Sequence, residues 1–358
     1  MNIKQITASL FLALALLSPL AKSDTGTVQC YDDFMRSADA SGKPQILYTG
    51  ITRTALTMRS GPDKESAALG SLSAKETVSI FGFDQTWLFC WDDAVGAYYL
   101  GRHNVDTIEP IRLDTPAYGV IPNRFLAITA KETALRQSPQ ENSESLFDLE
   151  AGTRLSFWMI DGGWAVVPYR REVGYLWLGD VQSLAPVSPT IDYAQDGDVL
   201  AVFTSFYPLK QTELNIGRME NIRVGCEYIT RTYQPGEVFD FNEIAGPYRE
   251  ARGYKSSPVL IDGETVAGYG GGTCQVSTTL YNALLQLPEG IDLVYRRPHG
   301  PGGASYAPHG VDAAVGAATL NLIFRNDFPF PITLDCSAVN GSLCVCVRKG
   351  EVHTIGSV

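Results

Sequence analysis

Gly270-Gly271-Gly272-Thr273-Cys274-Gln275-Val276-Ser277-Thr278-Thr279-Leu280-Tyr281-Asn282-Ala283 is the stretch on which the reading of the C-terminal third turns. Three consecutive glycines cost backbone entropy, so such a run marks a main chain that turns tightly and comes close to a ligand. Immediately after it, Val276, Thr279, Leu280, Ala283, Leu284 and Leu287 recur at helical spacing until Pro288 and Gly290 close the segment. The pattern predicts a glycine turn feeding a partly buried helix with Cys274 at its N-terminus. Unpaired amides and the positive end of the helix dipole favour a thiolate there, and the same amides suit the oxyanion of an acyl intermediate. A tight turn carrying a buried thiol is the other reading, and the residues alone leave both open. A phosphate cradle is excluded, because no Lys-Ser/Thr follows the glycines.

Outward from this motif the chain alternates helix and strand signals. Met219, Ile222, Cys226, Ile229 and Tyr233 form the apolar stripe of a helix over about residues 213–233, closed by Pro235-Gly236. Strands are expected at Val238-Phe239-Asp240-Phe241 and Val259-Leu260-Ile261. The segment from about 311 to 349 reads as strand-rich, with a hairpin crossing Asn340-Gly341. Together these give an α+β domain over 195–349. A cysteine nucleophile needs a base. Of the four histidines, His103 falls in an earlier module and His353 in the tail, which leaves His299 and His309. Asp312 would orient the imidazole. A zinc site from Cys274, His299 and His309 matches no recognised ligand spacing.

Residues 45 to 185 hold a repeat at an offset of 77: Met58-Arg59 matches Leu135-Arg136, Pro62 matches Pro139, Leu72 and Ala74 match Leu149 and Ala151, Trp87 matches Trp164, and Tyr98 matches Tyr175. Short strand-like runs separated by turns such as Asp161-Gly162-Gly163 predict two small all-β barrels, at 45–112 and 122–187. The prolines of Leu184 to Thr190 suit a semi-extended spacer.

The N-terminus reads as an export signal over 1–23: Lys4, an apolar run from Ile6 to Leu17 too short to span a membrane, then Ala21-Lys22-Ser23. The formal charge of −11 contains two signal lysines, so the mature chain carries −13. That acidity argues against nucleic acid and anionic membrane partners. The expected location is secreted and wall-associated. Seven cysteines suggest disulfides plus one odd thiol. Cys30 could pair with Cys90, and a bridge among Cys336, Cys344 and Cys346 is plausible across the hairpin. Cys226 looks structural, and Cys274 is left without a bland role.

Two resemblances follow. The order Met/Leu-Arg-x-x-Pro, Leu-x-Ala, Trp, Gly/Ala-Tyr is similar to that of bacterial SH3-like domains, which often attach exported enzymes to peptidoglycan. The first copy keeps the fuller Met58-Arg59-Ser60-Gly61-Pro62, whereas Ser138 replaces the glycine in the second. From about 200 to 337 the chain resembles the VanW family. The pieces are Asn221-Ile222, Pro235 through Asn242, Gly253-Tyr254, Gly270 through Ala283, Arg296-x-x-His299, Tyr306-x-Pro308-x-Gly310-x-Asp312-Ala313-x-Val315, Phe324-x-Asn326 and Pro331-Ile332. Gly300-Pro301-Gly302-Gly303 departs from the family pattern, and His309 falls where the family requires no histidine, which favours His299 as base. The resemblance implies an L,D-transpeptidase acting on peptidoglycan stem peptides. Cys274 would be the nucleophile and His299 the base and then acid, with Asp312 beside it. Gly271, Gly272, Thr273 or Gln275 would hold the oxyanion, and Arg296 and Tyr306 would contact substrate. It implies no cofactor, no metal and no obligate protein partner. A hydrolase built on the same pair, or a non-catalytic wall-binding protein, remain the competing readings.

Overall fold

The computed structural model describes residues 44, 46–83, 87–111, 122–170, 172–188, 191–261, 264–287, 289–299, 304–308 and 311–350. The expected export signal, Cys30, Gly300–Gly303, His309, Gly310 and His353 lie outside these. The described chain is strand-rich, with three α-helices, Glu213–Ile229, Phe241–Ala245 and Thr273–Leu284.

The repeat in the sequence is a repeat in the structure. Strands Leu56–Arg59 and Thr133–Arg136, Trp87–Asp92 and Trp164–Tyr169, and Gly96–Gly101 and Glu172–Trp177 occupy equivalent places, and each last pair member runs into a single 3-10 turn. Even local bonds recur at the same offset: the Arg59 guanidinium donates to the Ser66 carbonyl and the Arg136 guanidinium to the Ser143 carbonyl, both at 2.8 Å. In the first copy one seven-stranded sheet runs from Ala68–Leu72 to Val105–Pro110, and these two ends are not paired with each other. In the second copy the ladder divides at Trp158 into sheets of five and three strands. Tyr48, Ile80 and Leu88 fill the first core, and Leu135, Leu155, Phe157 and Leu176 the second.

The C-terminal domain is built on a four-stranded antiparallel sheet ordered Val199–Phe206, Ser342–Lys349, Ile332–Val339, Thr232–Tyr233. Its central hairpin turns on Asn340 (φ 53°) and Gly341 (φ 77°), the left-handed pair that a two-residue type I′ turn requires. The two longer helices lie against this sheet. Ile222, Cys226 and Ile229 from one and Val276, Leu280 and Ala283 from the other are buried with Leu334, Val345 and Val347. Each such side chain contributes about 1.5–3 kcal/mol by leaving water. A second sheet, Val238–Asp240, Leu322–Asn326 and Ile291–Arg296, and a hairpin of Ser256–Ile261 with Glu264–Tyr269, flank the site.

Three expectations need correction. Tyr233 is buried but lies on a strand, because the long helix ends at Ile229. Phe241 opens a helix rather than closing a strand, because the Asp240 side chain accepts from the Glu243 amide and caps it. Cys336, Cys344 and Cys346 are free thiols, and Cys336 stands opposite Val345 rather than another cysteine. The second β-module is docked on the C-terminal domain. Arg154 pairs with Asp335 at 2.9 Å, Ser156 amide donates to Thr204 Oγ1 at 2.8 Å, and Phe147 and Tyr169 pack on Phe206.

Candidate active site around Cys274

Each glycine of the run has its own structural cause. Gly270 (φ 85°) and Gly272 (φ 110°) adopt the left-handed backbone that side chains disfavour. A Cβ on Gly271 would lie 2.2 Å from the Pro258 carbonyl oxygen. The close approach is therefore to the chain's own hairpin. Buried Asn221 fixes that approach: its Nδ2 donates to the carbonyls of Gly271 and Lys255 and to Ser257 Oγ, while its Oδ1 accepts from the Lys255 amide.

This loop delivers Cys274 to the first turn of the helix Thr273–Leu284. All the other residues of that helix are buried, and Cys274 alone is partly exposed. Its sulfur lies 3.5 Å from both the amide nitrogen and the carbonyl oxygen of Val315. The helix face beyond it is polar and buried, an uncommon combination that demands partners. Those partners are the backbone of 311–315. Ser277 Oγ donates to the Ala313 carbonyl at 2.6 Å, Thr278 Oγ1 accepts from the Ala313 amide at 3.0 Å, and Asn282 Nδ2 donates to the Val311 carbonyl at 2.7 Å. Asp312 and Val315 are thereby placed relative to the thiol by the helix that carries it.

Asp312 is bonded to His299 twice. Oδ2 accepts from the His299 backbone amide at 2.7 Å and lies 2.5 Å from ring Nδ1. The Asp312 side chain is 2% exposed and that of His299 23%. The bond to Asp312, followed by one to Cys274, raises the imidazole from 6.5 to about 9 against the opposing effect of burial. Burial alone would raise the Asp312 carboxyl, but the His299 bonds and Arg296 hold it below its ordinary range. A value raised to about 9 favours the protonated ring at neutral pH, with Nδ1 donating to Asp312. A histidine held in this way beside a cysteine can return a proton to a leaving group.

The remaining expected residues divide. Tyr306 lies within electrostatic reach of Cys274 and beside Thr278, and burial pushes its phenol upward. Arg296 is turned inward, donating to the Asp312 carbonyl at 2.7 Å and stacking on Tyr281. The Gln275 side chain is buried: Nε2 donates to Ser205 Oγ and the Phe206 carbonyl, and Oε1 accepts from Arg218. Gly271, Gly272 and Thr273 are buried as well. The sequence reading missed Val315, the clamp of Ser277, Thr278 and Asn282, and Tyr248, whose ring lies against Gly270. Polar residues at helical spacing among apolar ones were the available signal for the clamp. Among the described residues no group of three His, Cys, Asp or Glu side chains is arranged to hold a metal ion, and no helix is long and apolar enough to cross a membrane.

Residues 217–348 match the family described as VanW like protein. A curated relative, the uncharacterized protein YoaR of Bacillus subtilis (strain 168), is 34% identical over 139 residues, which is 38% of this chain and 45% of that protein. The chain thus spans under half of that relative's length. Among solved structures, NlpC2 from Trichomonas vaginalis (10% identity, 85% of this chain and 97% of that chain, TM-score 0.16) is matched. So is an NlpC/P60 family protein from Bacillus cereus ATCC 10987 (12% identity, 84% and 99%, TM-score 0.17). Similarity that low carries no argument about fold. Residues 217–348, the part of the chain that is similar to the VanW family, are the part that holds Cys274, His299 and Asp312.

Proposed function

We propose that this protein is an exported, cell-wall-associated acyltransferase of the L,D-transpeptidase type, with Cys274 as nucleophile. The observation that carries the reading is the single partly exposed residue of a buried helix, a cysteine, near a histidine whose ring Nδ1 is bonded to a buried carboxylate. The thiolate would attack the carbonyl of the third residue in a stem tetrapeptide. A carbon–sulfur bond forms, the carbon–nitrogen bond to the terminal D-alanine breaks, and the His299 proton leaves with the amine. An amine of a second stem then attacks the thioester, gives its proton to His299 and releases the thiolate, which leaves a 3–3 cross-link. The Cys274 amide at the head of the helix, with the Val315 amide beside the sulfur, supplies donors for the oxyanion. Arg296 acts here by holding Asp312 rather than by meeting a substrate carboxylate. The β-modules, in the SH3-like reading, would keep the enzyme at peptidoglycan.

Incubating the mature protein with purified disaccharide-tetrapeptides and resolving the products by mass spectrometry tests this. Dimers should form and vanish with Cys274→Ala. Tripeptides without dimers would replace transfer by hydrolysis, and untouched substrate would leave a wall-binding role.

A further inference from the structure

The peptide unit of Val315, whose amide nitrogen and carbonyl oxygen both lie 3.5 Å from the Cys274 sulfur, is gripped from two sides. On one side Ser277 and Thr278 hold Ala313, and the Ala314 amide donates to the Arg297 carbonyl at 2.7 Å. On the other stands Asn242, in the short helix Phe241–Ala245. Its Oδ1 accepts from the Gly316 amide at 2.9 Å and from the Tyr248 hydroxyl at 3.1 Å. Its Nδ2 donates to the carbonyls of Ala317 at 3.1 Å and Leu320 at 2.8 Å. Two lone pairs and two hydrogens are all that an amide side chain has to offer. Asn242 commits all of them to the segment after Val315 and to Tyr248, and none to its own helix.

Tyr248 joins the two halves of the site. A Cβ on Gly270, at the head of the glycine run, would meet one edge of its ring at 2.8 Å, and a Cβ on Gly316 would meet the opposite edge at 3.5 Å. One aromatic ring thus spans from the turn that delivers Cys274 to the backbone that follows Val315, within electrostatic reach of the sulfur. The ring sets the width of the gap, and the hydroxyl, through Asn242 Oδ1, steadies the Gly316 amide.

This bracing matters for charge that develops during a reaction. In the resting protein the Val315 amide donates to the sulfur. Once an acyl carbon is bonded to that sulfur, its oxygen stands one bond further out, and an amide already aimed there can donate to the oxyanion. Such a donor is effective because it need not move when the charge appears. We propose that Asn242 and Tyr248 are positioning residues that fix the Val315 amide as an oxyanion donor for acyl chemistry at Cys274. This rests on Cys274 being the nucleophile of the reading above, but not on which amine or water later takes the acyl group.

The test compares two reactions of the same sulfur in the full-length protein, each followed at Cys274 by peptide mass spectrometry. With p-nitrophenyl acetate the sulfur bonds the acetyl carbon, p-nitrophenolate departs, the thiol proton is lost to buffer, and a tetrahedral oxyanion forms on the way. Iodoacetamide loses iodide from a saturated carbon and forms no oxyanion. Asn242→Ala should slow acetylation by about 10–100-fold while alkylation stays within about threefold of the wild type. Tyr248→Phe keeps the ring between Gly270 and Gly316 and should slow acetylation by about fivefold, the weight of one neutral hydrogen bond. It carries the test by itself should the alanine variant not fold. An equal loss in both reactions overturns the proposal, because general loosening acts on any reaction of the thiol. Acetylation unchanged in the folded variants overturns it too. These outcomes separate from the function proposed above. Ester acetylation that depends on Asn242, in a protein that forms no stem-peptide cross-links, would keep the brace and remove the transpeptidase. Cross-links formed at the wild-type rate by Asn242→Ala would do the reverse.

Discussion

Replacing Asp312 by asparagine removes one negative charge from beneath His299 while keeping the side-chain shape. The bond to Asp312 is the largest cause of the imidazole's rise from 6.5 to about 9. That difference is worth about 3 kcal/mol before the partial exposure of the ring is allowed for. In Asp312→Asn the imidazole should fall back toward its ordinary range, so that at pH 7–8 most molecules lose the imidazolium that faces the sulfur. On the acyl-transfer reading proposed above, the rate of transfer should drop by about 10²–10⁴, the usual weight of a positioned acid–base group. Alkylation of Cys274 by iodoacetamide, which needs no substrate, should fall roughly tenfold at pH 7. The direct readout is the carbon-bound ring protons of His299 followed by nuclear magnetic resonance from pH 5 to 10. A midpoint that stays near 9 in the variant, or an alkylation profile superimposable on that of the wild type, would refute the argument that Asp312 sets the state of His299.

The same pair ties stability to pH. A histidine raised on folding stabilises fully below its unfolded value of about 6.5, and its contribution is lost as pH climbs through about 9. Asp312, held low, contributes above its unfolded value of about 3.9 and loses that contribution on acidification. Denaturant midpoints should accordingly fall between pH 6.5 and 9 in the wild type, and the fall should be absent from His299→Gln.

Other consequences follow from contacts already described. Gly271→Ala drives a methyl into the Pro258 carbonyl, and since backbone cannot yield cheaply the fold should lose about 2–4 kcal/mol in chemical denaturation. Asn282→Ala breaks the bond to the Val311 carbonyl and should cost about 1–2 kcal/mol while slowing Cys274 alkylation, because the segment carrying Asp312 and Val315 is released. Arg154→Ala leaves Asp335 paired only with Arg348 and should lower stability by about 2–4 kcal/mol, with faster amide hydrogen exchange along Ser156 and Thr204.

What could be seen in the sequence is what local periodicity encodes. The glycine run, the helix after it and the hairpin at Asn340-Gly341 are each fixed within a dozen residues, and the 77-residue repeat preserved even its side-chain-to-backbone bonds. The Asp312 partner was harder, because a carboxylate three residues from His309 and thirteen from His299 gives no local reason to prefer the distant ring. The choice is made by burial: Ser277, Thr278 and Asn282 seize the backbone on both sides of Asp312 and turn its carboxylate to His299. The same logic explains why Gln275 and Arg296 resembled ligand-binding groups. A glutamine and an arginine beside a reactive cysteine look available on paper, yet each finds its partners inside the protein, Gln275 on Ser205 and Phe206, Arg296 on Asp312 and Tyr281. Phe206 links these observations, since one aromatic residue both receives the second β-module and presents its carbonyl to the helix of Cys274. Displacing that module should therefore reach Cys274, and Phe206→Ala tests this by the rate of Cys274 alkylation, with Leu126→Ala, at the edge of the same interface, as the comparison. Equal slowing in both would assign the effect to general loosening and not to Phe206.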